Sequence, residues 1–115
     1  MKKDALLDLS RSAAQHTHCP YSHFHVGAAL VADDQVFTGV NIEISSYGLT
    51  LCAERSALAA AISAHQAGPI SQIAIACIDA PSDAPLSQRS PCGACCQWIA
   101  DLAPPGYYLY RWRGA

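Results

Sequence analysis

Apolar positions along the chain change period repeatedly, and each change marks an element. From Asp4 to about His16, Leu6, Leu7, Leu9 and Ala13 recur at near-helical spacing until the turn-forming Cys19-Pro20-Tyr21-Ser22. That stretch predicts a first helix. Val26 to Val31 and Val36 to Val40 are short apolar runs joined by the polar Ala32-Asp33-Asp34-Gln35, which predicts an antiparallel hairpin. Asn41 to Thr50 has no period and reads as a loop, the kind of segment that carries substrate contacts on a rigid scaffold. Leu51 to about His65 is an Ala-rich helix stopped by Gly68-Pro69, and Ile70 to Ile78 predicts a central strand buried on both faces. Ala80 to Ser90 reads as a surface loop. A third helix runs from about Cys92 to Leu102, Pro104-Pro105-Gly106 ends it, and the aromatic run Tyr107 to Trp112 predicts a last strand. The order α-β-β-α-β-α-β implies an α/β fold in one domain over residues 1–115, with helices covering a mixed four-stranded sheet.

Composition sharpens this in two respects. Only 14% of the 115 residues are charged, against about a quarter in ordinary soluble domains, so part of the surface is expected to be covered by other subunits. The formal charge of −2 gives no basic face for a phosphate backbone, which disfavours nucleic acid as a substrate. The six cysteines would suit a secreted disulfide scaffold, but Met1 to Asp8 reads as an amphipathic helix rather than a signal peptide. No apolar run approaches the roughly 18 residues of a membrane-spanning helix. The expectation is a cytoplasmic protein with reduced thiols.

Candidate chemistry concentrates at two predicted helix starts. Cys52-Ala53-Glu54-Arg55 places a thiol two residues before a carboxylate, and Pro91-Cys92-Gly93-Ala94-Cys95 supplies two thiols at a spacing that closes on one metal ion. C-x-E with P-C-x-x-C is the zinc-deaminase signature, with Cys52 in the first ligand position, where that signature commonly has His. Three thiolates leave one coordination position for a water that zinc acidifies, and Glu54 is the natural base for it. Helix N-termini favour negative charge, which lowers thiol pKa. Arg55, three residues after Cys52 on the same helix, is placed to compensate the thiolates. The competing reading is a closed four-cysteine site using Cys96, although Cys95 and Cys96 point about 100° apart around a helix. His16, His18, His23 and His25 read as solvated residues near a turn, His65 as a favourable charge at a helix C-terminus, and Cys19 and Cys77 as packing residues.

Four blocks in order carry a family resemblance: Pro20-Tyr21-Ser22-His23-Phe24-His25-Val26-Gly27-Ala28-Ala29-Leu30, Asn41-Ile42-Glu43, Cys52-Ala53-Glu54-Arg55 and Ser90-Pro91-Cys92-Gly93-Ala94-Cys95. The chain resembles the small homotetrameric zinc-dependent cytidine deaminases of pyrimidine salvage. That resemblance implies a three-layer α/β/α sandwich, zinc on Cys52, Cys92 and Cys95, and Glu54 as proton shuttle. It also implies Phe24 against the pyrimidine ring, Asn41 and Glu43 on the ribose hydroxyls, and Tyr47 reaching a substrate in an adjoining subunit. The implied partner is a cytosine nucleoside, and the implied assembly a homotetramer. Three departures stand out. Cys96 replaces the family's usual Arg, Ile44-Ser45 replaces the usual Asn-Ala, and the sequence stops at Arg111-Trp112-Arg113-Gly114-Ala115, where family members usually continue into a fifth strand and a final segment. A more open pocket is the corresponding expectation, and the expected reaction is hydrolytic deamination of cytidine, deoxycytidine or a closely related cytosine nucleoside to the uracil nucleoside and ammonia. The rival functions are deamination of a modified cytidine or a nucleoside antibiotic of the blasticidin type, and a non-catalytic zinc-stabilised module.

Overall fold

Strand β1 (Val26–Ala32) is the element on which both helical layers are built, because its small and branched residues alternate between two covered faces. The computed structural model describes residues 1–64, 69–81, 83–85 and 92–112, with the side chain of Tyr47 outside the description. β1 turns into β2 (Gln35–Val40) through Asp33 and Asp34, whose φ values of +50° and +68° lie in the left-handed region. A two-residue turn of that hand matches the twist of the flanking strands, and Asp tolerates it better than most residues. β1 also pairs antiparallel with β3 (Ile70–Cys77), with a register shift between Val31 and Ala32, and β3 pairs parallel with β4 (Tyr108–Arg111). Among the described residues the sheet is therefore mixed and four-stranded, ordered β2-β1-β3-β4.

One face of β1 presents Ala29 and Val31 to α1 (Lys3–Ala13), which contributes Leu6 and Leu7; Ala74 of β3 completes this smaller core. The opposite face presents Ala28, Leu30 and Ala32 to α2 (Ala53–Ser63) and α3 (Gly93–Leu102), together with Ile73, Ile75, Leu58 and Ile99. Each fully buried Leu or Ile contributes about 1.5–3 kcal/mol, so the larger core, which carries both helices of the candidate site, dominates. The helix–sheet–helix layering agrees with the expected three-layer α/β/α sandwich.

Close packing fixes where the helices sit. A Cβ on Gly39 of β2 would collide with the Ala57 nitrogen and the Ala53 carbonyl of α2, so that helix lies directly on the strand backbone. Gly27 plays the same part for α1, where a Cβ would strike the Ser10 carbonyl and Ala14. The buried stripe of α1 runs through Leu6, Leu7 and Ser10 rather than through Leu9, which is exposed. Ser10 is tolerated there because its hydroxyl donates to the Leu7 carbonyl at 2.7 Å. The helix then tightens into a 3-10 turn over Ala14–His16 instead of continuing regularly.

Residues 41–50 depart most from the expected loop. Ile42 pairs on one side with His18 and on the other with Leu51, through Ile42 N–H to Leu51 O (2.8 Å), Leu51 N–H to Ile42 O (2.9 Å) and Glu43 N–H to His18 O (2.8 Å). The segment leaves the sheet, makes a 3-10 turn at Tyr47–Leu49, and returns to its own base. This closed excursion delivers the chain to Cys52. His65, Gly68, Ser90 and Pro91, invoked in the sequence reading, lie outside the described residues. Among the described residues no helix is long and apolar enough to cross a membrane.

Candidate metal and substrate site

Two helix N-termini converge. Cys52 is the N-cap of α2, Cys92 is the N-cap of α3, and Cys95 lies in the first turn of α3. The Cys92 sulfur accepts from the Cys95 backbone N–H at 3.4 Å, a capping interaction that holds it at the helix mouth. The Cys92 and Cys95 sulfurs are 3.4 Å apart, those of Cys52 and Cys92 are 3.7 Å apart, and all three sulfurs lie within 4.8 Å of one another. Thiolates held at ~2.3 Å around a tetrahedral zinc stand about 3.8 Å apart. The donor set therefore fits that ion in number, type and spacing. Cys96 is exposed and outside the group, so the four-thiolate alternative finds no support in this geometry.

The electrostatics favour a cation at this point. Hydrogen bonding from Cys95, then from Arg55 and Cys92, draws the Cys52 thiol down to about 5 against the resistance of burial. The converse holds for Cys95, which is pushed up by its hydrogen bond to Cys52, by burial and by the Glu54 charge. Of these two thiols Cys52 ionises the more readily, and a divalent ion is what would let Cys95 follow. Arg55 lies against this charge: its Nη2 donates to the Cys52 sulfur at 3.4 Å and to the Thr50 carbonyl at 3.2 Å, while its buried Nε has no partner among the described residues. Glu54, in the first turn of α2, is buried, and desolvation pushes its carboxyl up, with the Cys52 charge adding to the rise.

The residues expected to meet the substrate form a wall built from the segment leading into β1 and the residues after β2. Phe24 is half-buried and packs against the larger core. Asn41 is buried, and both ends of its amide are used: Nδ2 donates to the Phe24 carbonyl at 2.8 Å, and Oδ1 accepts from Val26 N–H at 3.0 Å. Glu43 is buried as well, its Oε1 accepting from the backbone N–H groups of Tyr21 (3.1 Å) and Ser22 (3.0 Å) and its Oε2 from the Ser22 hydroxyl. The Ser22 hydroxyl and amide hold the Glu43 carboxyl below its ordinary value. Asn41 and Glu43 thus hold the backbone of residues 21–26 in place. Tyr47 lies in the 3-10 turn of the closed excursion, with its side chain outside the described residues.

His25, expected to be solvated, is instead tied to Asp79: its backbone N–H and its ring Nδ1 lie 2.6 and 2.7 Å from the same Asp79 oxygen. Burial pushes the Asp79 carboxyl up, but the His25 hydrogen bonds and ring charge outweigh it and leave the carboxyl below its ordinary range. Sequence reasoning missed this pair. The two residues are 54 positions apart and no periodicity links them.

Residues 1–110 match the cytidine and deoxycytidylate deaminase zinc-binding region. A probable cytidine deaminase of Dictyostelium discoideum is 45% identical over 93 residues, covering 80% of this chain; the chain spans 59% of that relative's length. A cytidine deaminase of Halalkalibacterium halodurans is 41% identical over 111 residues, covering 96% of this chain and 79% of the relative. The crystal structure of cytidine deaminase from Burkholderia pseudomallei superposes with a TM-score of 0.85 at 37% identity, covering 99% of this chain and 86% of that one. With nearly the whole length matched in sequence and in structure, the chain belongs to the cytidine and deoxycytidylate deaminase zinc-binding family.

Proposed function

We propose that this single domain of residues 1–115 hydrolyses the amino group from a cytosine nucleoside, releasing the uracil nucleoside and ammonia. The observation that carries this reading is the buried Glu54 carboxylate two residues from Cys52, in a cluster of three thiols that fits zinc. A purely structural zinc site has no use for a buried acid beside an open position. Cys52, Cys92 and Cys95 would hold the ion, which when bound supplies a Lewis acid that acidifies water.

The remaining roles fall to the chain. Glu54, whose carboxyl burial pushes up from its ordinary value, accepts a proton from the attacking water and returns protons to N3 of the base and to the amine leaving C4. Arg55 offsets thiolate charge through its bond to Cys52. Phe24 offers a ring face to the flat base, and Asn41 and Glu43 sit where ribose hydroxyls would arrive. Glu43 Oε1 already accepts two hydrogen bonds, from the Tyr21 and Ser22 N–H groups, while Oε2, which accepts one from the Ser22 hydroxyl, keeps capacity for a ribose hydroxyl. Tyr47 would reach a neighbouring subunit's substrate.

We also propose a cytoplasmic homotetramer. Its support is a groove of about 470 Å³ between α2 and α3, lined by Ala59, Ile62, Trp98 and Leu102, of which Ile62 is 55% exposed. Helix faces of that kind are usually covered. Absorbance-monitored deamination of cytidine, deoxycytidine, modified cytidines and free cytosine tests the activity, with turnover of a ribose-bearing cytosine expected. No turnover of any of them by zinc-loaded protein would overturn the reading. Sedimentation tests the assembly: a fully active monomer at micromolar concentration removes the cross-subunit role of Tyr47.

A further inference from the structure

We propose that Asp79 is a positioning residue for the substrate wall, acting through His25 to hold Phe24 and Asn41 in register with the thiol cluster. The inference rests on the reading of the site as a nucleoside pocket. Its physical basis is the accounting of backbone polar groups from Phe24 to Val26. Phe24 N–H donates to the Ser22 hydroxyl at 3.0 Å, and its carbonyl accepts from the Asn41 amide. His25 N–H donates to Asp79, and its carbonyl accepts from Ile78 N–H at 3.2 Å. Val26 N–H donates to the Asn41 side chain, and its carbonyl accepts from Asn41 N–H at 3.3 Å.

Three side chains therefore hold this backbone, and they come from different places. Ser22 is local, and Asn41 follows β2. Asp79 follows β3, on the connection that leads towards α3 and its two thiols. Among the described residues it is thus a side-chain tie from the wall to the segment that leads to Cys92 and Cys95. The two partners are 38% and 40% exposed, so the ion pair adds little energy by itself. What the carboxylate fixes is direction, because one oxygen engages both the backbone N–H and the ring of the same residue. With that N–H released, the Phe24 carbonyl and Val26 N–H keep only the Asn41 amide to orient them.

The experiment compares zinc-loaded wild type with Asp79→Ala and Asp79→Asn. Zinc content, amide exchange at Val26, and KM and kcat for cytidine are measured on each. Asp79→Ala is expected to speed Val26 exchange and to raise KM roughly tenfold, the loss of about one hydrogen bond, with kcat and zinc content nearly unchanged. Asp79→Asn keeps an oxygen acceptor for His25 and is expected to restore most of both effects. The proposal is overturned if Asp79→Ala leaves Val26 exchange or KM at wild-type values, or if Asp79→Asn behaves like Asp79→Ala. Failure of the wild-type protein to deaminate any cytosine nucleoside would remove the functional reading instead. The exchange comparison would still decide whether Asp79 holds the wall.

Discussion

Along the wall, every backbone N–H and carbonyl from Phe24 to Val26 has a partner inside the chain. At the meeting of the two helix N-termini, three thiols face one another, one of them ionises readily, a carboxyl is desolvated beside them, and the buried Nε of Arg55 has no partner among the described residues. The wall is preformed, so ordering it adds little to the free energy of binding a nucleoside. The thiol cluster is electrostatically incomplete until a cation arrives. Metal and substrate should therefore be separable by mutation, and loss of the metal should disturb this molecule more than loss of any one wall contact.

The largest effect is expected from the thiols. Cys52→Ala, Cys92→Ala or Cys95→Ala should reduce zinc from about one per chain to near zero and abolish turnover. Cys96→Ala should keep the metal, because its thiol lies outside the cluster. Metal analysis of the four purified variants decides it, and zinc loss in Cys96→Ala would restore the four-thiolate site. Next comes Glu54→Gln, which removes the proton shuttle but leaves the ligands. Zinc content should be unchanged while kcat falls by about 10²- to 10⁴-fold. Turnover close to wild type would mean that another group moves the protons.

Asn41→Ala attacks the other side of the comparison. It leaves the Phe24 carbonyl and the Val26 N–H without partners, and each such buried group costs about 1–3 kcal/mol unless water reaches it. Unfolding free energy should drop by about that amount and KM should rise, with zinc content constant. A variant that also lost zinc would show that wall and metal cluster form one cooperative unit, and the contrast between them would fail.

Much of this architecture was legible in the sequence, for identifiable reasons. Strand and helix positions followed from period, and the thiol cluster followed from C-x-E and C-x-x-C spacing, because helix starts impose a local geometry that spacing encodes. The hidden features depend on residues far apart in sequence. Nothing in Asn41 to Thr50 announces that Ile42 will pair with both His18 and Leu51, and nothing links His25 to Asp79. The choice of Ser10 over Leu9 for the buried stripe turned on one step of about 100° around the helix, together with a hydroxyl able to satisfy itself on the Leu7 carbonyl. Asn41 and Glu43 were expected as pocket residues from the family resemblance. Their service to the backbone of residues 21–26 was not, since that requires the fold.

The smallest expected effect tests whether the wall's completeness has a measurable signature of its own. Glu43 accepts three hydrogen bonds from Tyr21 and Ser22, and the Ser22 hydroxyl and amide hold its carboxyl below the ordinary 4.5. A carboxyl depressed in the folded state contributes stability that is fully present above the unfolded value and is lost as pH falls through the folded one. Wild type should therefore lose stability below about pH 4.5 more steeply than Glu43→Gln, which has no proton to take up. Protonation of the thiolates on zinc acts in the same pH range but is common to both proteins, so the difference between their denaturation curves isolates Glu43. The difference should be flat at neutral pH and shrink as the medium becomes acidic. Parallel curves down to pH 3 would mean that the Glu43 carboxylate gains nothing from its three donors, and that the wall is held by Ser22, Asn41 and Asp79 without it.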